Sequence, residues 1–277
     1  MSIFDELKID CHNHIFDPAR FPYLDTAIYR PSMQEIGTAA QFTRVLDACG
    51  VRHALLVGPT SGYRTDNRCM LDAIASSNGR FKGIAVVEND ISRPALQALR
   101  DAGVVGVAFN PNMEGTEVFE GVEPLFELLN EFEMFAQIQI GDAQILELLP
   151  LIERSGTRFL IDHCGRPVVD KGLDQPAFKA LLKLADTGRV TMKLSGLQKY
   201  SNQEHPYEDT HPFFRALLGA YGADQCVWGS DWPFLRSTTR MDYAPLLALF
   251  EKLVPSREDR QRILWNTPCR LFGFNDR

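Results

Sequence analysis

Six histidines are spread over 277 residues, and three of them stand where chemistry could be done. His12 and His14 lie one residue apart at the end of an apolar run, LKIDCHNH. In an extended strand an i, i+2 pair shares one face, so both imidazoles point into the same space. His163 ends a second run, RFLIDHCG, and Asp231 ends a third, CVWGSDWP. Imidazoles and a carboxylate gathered in one place can serve two chemistries. They can hold one divalent cation, Zn²⁺ or Mn²⁺, with water completing its shell. They can also work without metal, as acid, base and hydrogen-bond donors. Singly, each has an ordinary explanation: a strand-end histidine is commonly a hydrogen-bonded structural residue, and an aspartate after a strand commonly caps the next helix. Their joint placement carries the functional reading.

The elements that must bring them together recur regularly. Short apolar or β-branched runs occur at 7–14, 53–59, 81–89, 104–111, 134–141, 158–165, 190–196 and 226–233, each followed by a polar turn and a helix-period segment. Most are nearly continuous in apolar residues, as parallel strands covered on both faces are. Between them lie segments such as SRPALQALRDAG, which opens on Ser92 with Pro94 in its first turn and stops at Gly103. Eight such units without a linker predict a single-domain (β/α)8 TIM barrel over residues 1–277, a length close to the roughly 250 residues typical of that fold. A doubly wound open sheet is disfavoured because no glycine-rich phosphate loop follows the first run. In a closed barrel the eighth strand neighbours the first. Asp231 then approaches His12 and His14 at the carboxyl end, where barrels of this kind carry their active sites.

Composition narrows the classes of partner. With 29 basic and 36 acidic residues the net charge is −7, which does not favour nucleic acid or an anionic membrane. The first residues lack the pattern of a signal peptide, and no run approaches the length of a membrane span. The six scattered cysteines are expected as reduced thiols, and the chain is expected in the cytoplasm with a small-molecule substrate.

The segments IDCHNHIFDP, FLIDHCGRP, KLSG, VWGSDWP and NTPCRLFGF resemble, in order and across almost the whole chain, the amidohydrolase superfamily. More narrowly they resemble the branch containing 2-pyrone-4,6-dicarboxylate lactonase and sugar lactonases. The resemblance implies that His12, His14, His163 and Asp231 are catalytic, the same four being the ligands of a single ion where one is bound, with Asp231 as general base for water. Metal-dependent members often present a Lys, Glu or His on the middle strands. Here the fifth run reads Gln137-Ile138-Gln139, against a carboxylate-bridged binuclear centre. Some lactonases of the branch work without metal.

Relatives acting on the pyrone dicarboxylate carry arginines on the fourth and fifth strands. The matching stretches here contain Asn110, Gln137 and Gln139, which suit a hydroxyl-rich sugar lactone better than two carboxylates. Further candidates for substrate contact are Arg166, Lys199, Tyr200 and Tyr63. His53, His205 and His211 are read as structural, solvated or capping. Cys11 and Cys164, next to the ligands in sequence, are expected to point to the other face of their strands. The reading is therefore a lactone hydrolase. Decarboxylation or C–C hydrolysis, lactone isomerisation and a non-catalytic ligand-binding barrel are the alternatives.

Overall fold

The computed structural model describes residues 2–275. Eight strands, β1 (Ile9–Asn13), β2 (His53–Val57), β3 (Phe81–Ala85), β4 (Val104–Phe109), β5 (Phe135–Ile138), β6 (Arg158–Ile161), β7 (Val190–Leu194) and β8 (Cys226–Trp228), form one sheet. Its strands pair in parallel in sequence order. The sheet closes where β1 meets the segment after β8: Asn13 bridges Trp232, the Asp231 amide donates to the His12 carbonyl at 2.7 Å, and that of His14 donates to Trp232 at 2.8 Å. Among the described residues a main helix follows each strand, α1 (Ala39–Ala48), α2 (Arg68–Ala75), α3 (Arg93–Asp101), α4 (Glu123–Glu131), α5 (Gln144–Ser155), α6 (Pro176–Leu184), α7 (His211–Tyr221) and α8 (Tyr243–Leu253), with a short extra turn of helix at Pro111–Glu114. The fold is the expected (β/α)8 barrel.

The helix limits follow from local chemistry. Ser92 caps α3 by accepting the Ala95 amide, and Thr38 and Gln41 form a reciprocal cap on α1. The final helical stretch, Arg257–Phe272, widens into a π turn over Arg262–Asn266. No helix of the described residues is long and apolar enough to cross a membrane.

Side-chain alternation builds two cores. On β2, Ala54 and Leu56 pack outward under the helices, whereas Leu55 and Val57 point into the barrel. The inner cluster also takes Ile9, Ile84, Phe135, Leu160 and Val227, and Trp265, Phe272 and Phe274 cover its lower end. His53 sits at that end, its ring 5.0 Å from Phe274. Arg260 ties the chain ends together there: its Nε donates to Glu6 Oε2 at 3.0 Å and its Nη1 to the Val254 and Pro255 carbonyls.

One expectation about side-chain direction is corrected. Cys11 does not face away from the barrel; it lies in the inner cluster beside Ile9. The β1–β2 register shifts between Asp10 and Asn13. Such an irregularity re-aims the residues that follow it, so Cys11 fills the floor while His12 and His14 are still delivered to the mouth. Cys11, Cys49, Cys69, Cys164 and Cys226 are buried thiols without a disulfide.

Candidate active site

Above the apolar floor the barrel interior turns polar. Two residues beyond Phe135 on the same face stands Gln137, and two beyond Leu160 stands Asp162; Lys193 of β7 joins them. Lys193 Nζ donates to Gln137 Oε1 at 2.6 Å and lies 3.2 Å from Asp162 Oδ1, while Gln137 Nε2 donates to Asp162 Oδ2 at 2.9 Å. His12 Nδ1 completes the layer, 3.2 Å from both Asp162 Oδ1 and Lys193 Nζ. Lys193 and His12 are each 0% exposed, so the charges here are stabilised by each other and by the Gln137 amide. Burial opposes ionisation of Asp162, but the Lys193 ammonium beside it outweighs burial and holds its carboxyl far below the usual range.

Over this layer three imidazoles converge on one oxygen. Asp231 Oδ1 lies 3.7 Å from Nε2 of His12, 3.7 Å from Nε2 of His14 and 3.8 Å from Nε2 of His163. Neither His163 nor Asp231 belongs to a regular strand: β6 ends at Ile161 and β8 at Trp228. Both adopt left-handed backbone, φ 51° and 62°, a conformation costly for a side-chain-bearing residue and common at functional positions. It turns their side chains back across the mouth.

The other carboxylate oxygen is anchored. Asp231 Oδ2 receives Lys199 Nζ at 3.0 Å and Gln198 Nε2 at 3.3 Å. Burial raises the cost of ionising Asp231, yet the Lys199 ammonium beside it holds its carboxyl well below the usual range. Burial pushes the His12 and His163 imidazoles below theirs. At neutral pH the Asp231 carboxylate therefore faces His12 and His163 as neutral rings. His14 donates through Nδ1 to the Val57 carbonyl at 2.9 Å, which leaves its Nε2 as an acceptor when neutral. His163 Nδ1 is held by Ser195 Oγ at 3.1 Å, and His12 Nε2 has no hydrogen-bond partner.

The glycines of KLSG and VWGSDWP have a steric reason. A Cβ on Gly196, whose φ is +64°, would sit 2.3 Å from His163 Nδ1, and one on Gly229 would sit 2.5 Å from His12 Cβ. Gly196→Ala is expected to displace the His163 ring and cost about 10–100-fold in kcat/KM, since displacements near 1 Å cost that much in oriented sites, with about 1–3 kcal/mol of stability. Steady-state kinetics and urea unfolding read the two; unchanged kinetics would show that the ring position is not critical. Asp10 clamps the same junction from outside, accepting from Ser230 Oγ at 2.6 Å, Tyr243 Oη at 2.9 Å and the His12 amide at 3.1 Å.

A cavity of about 370 Å³ opens above His12, His14, His163 and Asp231. Of the residues singled out for substrate contact, Asn110, Gln137, Gln139, Arg166 and Lys199 line it. Tyr63 and Tyr200 do not. Tyr63 stacks on Phe16 at 5.8 Å and its hydroxyl accepts the Asp17 amide; Tyr200 turns into the core beside Cys164. Both aromatics pack the loops that shape the mouth. Sequence reasoning passed over Asp162, Lys193, Gln198 and Arg236. For Asp162 and Lys193 a signal existed, since a charged residue at an inward position of an apolar strand needs a partner. Arg236 lies in an irregular loop, where periodicity says nothing. It lines the cavity with its guanidinium 5.1 Å over the Tyr29 ring.

His12, His163 and Asp231 offer ligand atoms within 4.8 Å of one another. Together with the unpartnered His12 Nε2 this donor set fits one divalent ion in type and reach.

A family model described as amidohydrolase matches residues 9–274. The 4-sulfomuconolactone hydrolase of Hydrogenophaga intermedia is 30% identical over 271 residues, covering 95% of this chain and 88% of that protein. The D-galactarolactone isomerase of Agrobacterium fabrum is 24% identical, covering 98% of this chain and 93% of that protein. Among solved structures, a Pseudomonas putida protein assigned as a 2-pyrone-4,6-dicarboxylic acid hydrolase superposes with a TM-score of 0.84 at 31% identity, with 98% of each chain covered.

Proposed function

The chain belongs to the amidohydrolase family, and from that premise we propose that it is a hydrolase opening the ring of a hydroxylated lactone that carries an acidic substituent, as the monolactone of a sugar diacid does. The observation carrying the reaction is the single carboxylate oxygen, Asp231 Oδ1, facing three imidazoles at 3.7–3.8 Å. Relatives named as lactone hydrolases and a lactone isomerase support lactone chemistry in general.

Asp231 Oδ1 and His14 Nε2 are two acceptors 3.7 Å apart. A water between them gives one proton to each and turns its lone pairs toward the substrate. As that water attacks the ester carbonyl, Asp231 takes its proton and then returns it to the leaving alkoxide. The carbonyl oxygen is placed toward His12 and His163, whose Nε2 atoms face the same point. Lys199 and Gln198 hold the far carboxylate oxygen and keep Asp231 from rotating. A zinc or manganese ion held by His12, His163 and Asp231, with His14 beside them, would supply Lewis-acid polarisation of the carbonyl.

Substrate class follows from the lining. Asn110 and Gln139 supply amides suited to hydroxyls, and Arg166 and Arg236 supply two guanidiniums at the mouth. Arg166 Nη2 donates to the Lys199 carbonyl at 3.3 Å and leaves the rest of its fork for a carboxylate. One acidic group is served from this side; β4 and β5 offer no arginine for a second.

The test is acid release from a panel of neutral and acid-bearing sugar lactones, for the wild type and Arg166→Gln. The substitution is expected to raise KM for an acid-bearing lactone about 10-fold or more, the value of a charged hydrogen bond, and to change that for a neutral lactone less than about threefold. Equal effects on both would remove Arg166 from substrate recognition. Consumption of lactone without acid release would shift the reaction to isomerisation.

A further inference from the structure

The layer beneath the site contains a conflict that proton counting resolves. His12 Nδ1 lies 3.2 Å from a carboxylate oxygen, Asp162 Oδ1, and 3.2 Å from an ammonium, Lys193 Nζ. A carboxylate asks Nδ1 to carry the proton; an ammonium asks it to offer a lone pair. The tautomer chosen sets what His12 presents at Nε2, its only other polar atom, which faces Asp231 and has no partner.

With the proton on Nδ1, His12 donates to Asp162, and one proton of the fully buried Lys193 is left pointing at an N–H. With the proton on Nε2, Lys193 gives its three protons to Gln137 Oε1, Asp162 Oδ1 and His12 Nδ1. Asp162 then accepts from Lys193 through Oδ1 and from Gln137 Nε2 through Oδ2. Every proton of the Lys193 ammonium then has an acceptor, and the Nε2–H of His12 is directed to the cavity side, where a substrate carbonyl can meet it. Since an unmade buried hydrogen bond costs more than a made one gains, the second arrangement is preferred.

We infer that Lys193 is a positioning residue that fixes His12 as the Nε2–H tautomer, making it a hydrogen-bond donor to the substrate carbonyl and, because that proton must be displaced before Nε2 can ligate, a weaker ligand for the ion the site would hold. His14 is set the opposite way by the Val57 carbonyl. Adjacent histidines of one HxH pair thus present a donor and an acceptor, the polarity that a carbonyl oxygen and an attacking water respectively require. The inference deepens the lactonase reading, but its readout needs no turnover, so either can fail alone.

The experiment is long-range ¹H–¹⁵N correlation NMR on histidine-labelled protein, with His12→Gln locating the His12 signals. The wild type is expected to show Nε2–H at His12 and Nδ1–H at His14. In Lys193→Met, His12 is free to donate to Asp162 and is expected to switch to Nδ1–H. Zinc affinity measured by titration calorimetry should rise about 10-fold or more in that variant, the size of effect that partners of ligating histidines exert. An Nδ1–H signal for His12 in the wild type overturns the inference whether or not the variant folds. An unchanged tautomer in a folded Lys193→Met variant overturns it equally.

Discussion

Asp231→Asn is expected to lower kcat about a thousandfold or more, the upper range for loss of a general base, while substrate binding stays within about threefold, as a near-isosteric change permits. Asparagine occupies the same volume, and its side-chain oxygen can still accept from Lys199 or Gln198, which now hold Oδ2 at 3.0 and 3.3 Å. What it cannot do is take a proton from water. The substitution therefore separates two roles the same geometry permits. If Asp231 served only to anchor Lys199, the amide would replace it and turnover would be near normal. Steady-state acid release gives kcat, and calorimetry with the inactive variant gives the binding constant. Lys199 lies near the surface of the mouth, with its side chain 21% exposed, so the freed ammonium reaches water and the fold survives the loss of its partner. Near-normal kcat would remove Asp231 as the base.

The barrel could be read from the sequence because its signal is repeated. Eight apolar runs, each followed by a helical period, leave few topologies, and closure then brings the residues after β8 to β1. The convergence of His12, His14, His163 and Asp231 followed from that closure. What periodicity could not give was the last step of aiming. His163 and Asp231 reach the mouth through left-handed backbone beyond the strand ends, and His12 through a register shift that also turns Cys11 inward. Such irregularities are properties of individual residues and have no period to detect. Tyr63 and Tyr200 show the same limit from the other side: a loop aromatic near the mouth in sequence is as easily a wedge in the loop packing. Asp162 and Lys193 were legible in principle. Their positions follow from alternation along β6 and β7, and two opposite charges inside one barrel must meet.

That meeting leads to a second large effect, on stability. Asp162→Leu is expected to destabilise the protein by about 3–5 kcal/mol, because it leaves the Lys193 ammonium uncompensated in the interior. Lys193 is 0% exposed, in the same barrel interior as the apolar cluster of Phe135, Leu160 and Val227, so its charge is held away from water. Adding Lys193→Met removes the stranded charge, and the double variant should regain at least about 2 kcal/mol; apolar replacement of a whole buried pair is often neutral, here reduced by the amide of Gln137 losing both partners. Urea unfolding of the two variants measures both steps. A single variant losing less than about 1 kcal/mol would mean that Lys193 does not carry a buried charge. The activity of the double variant completes the argument. Its stability returns but its rate should not, remaining at least about 10-fold down, the scale on which hydrogen-bond partners tune a histidine. A barrel interior could be filled with leucine at no loss to folding. Recovery of stability without recovery of rate would assign the buried lysine–aspartate pair to the orientation of His12 rather than to the fold.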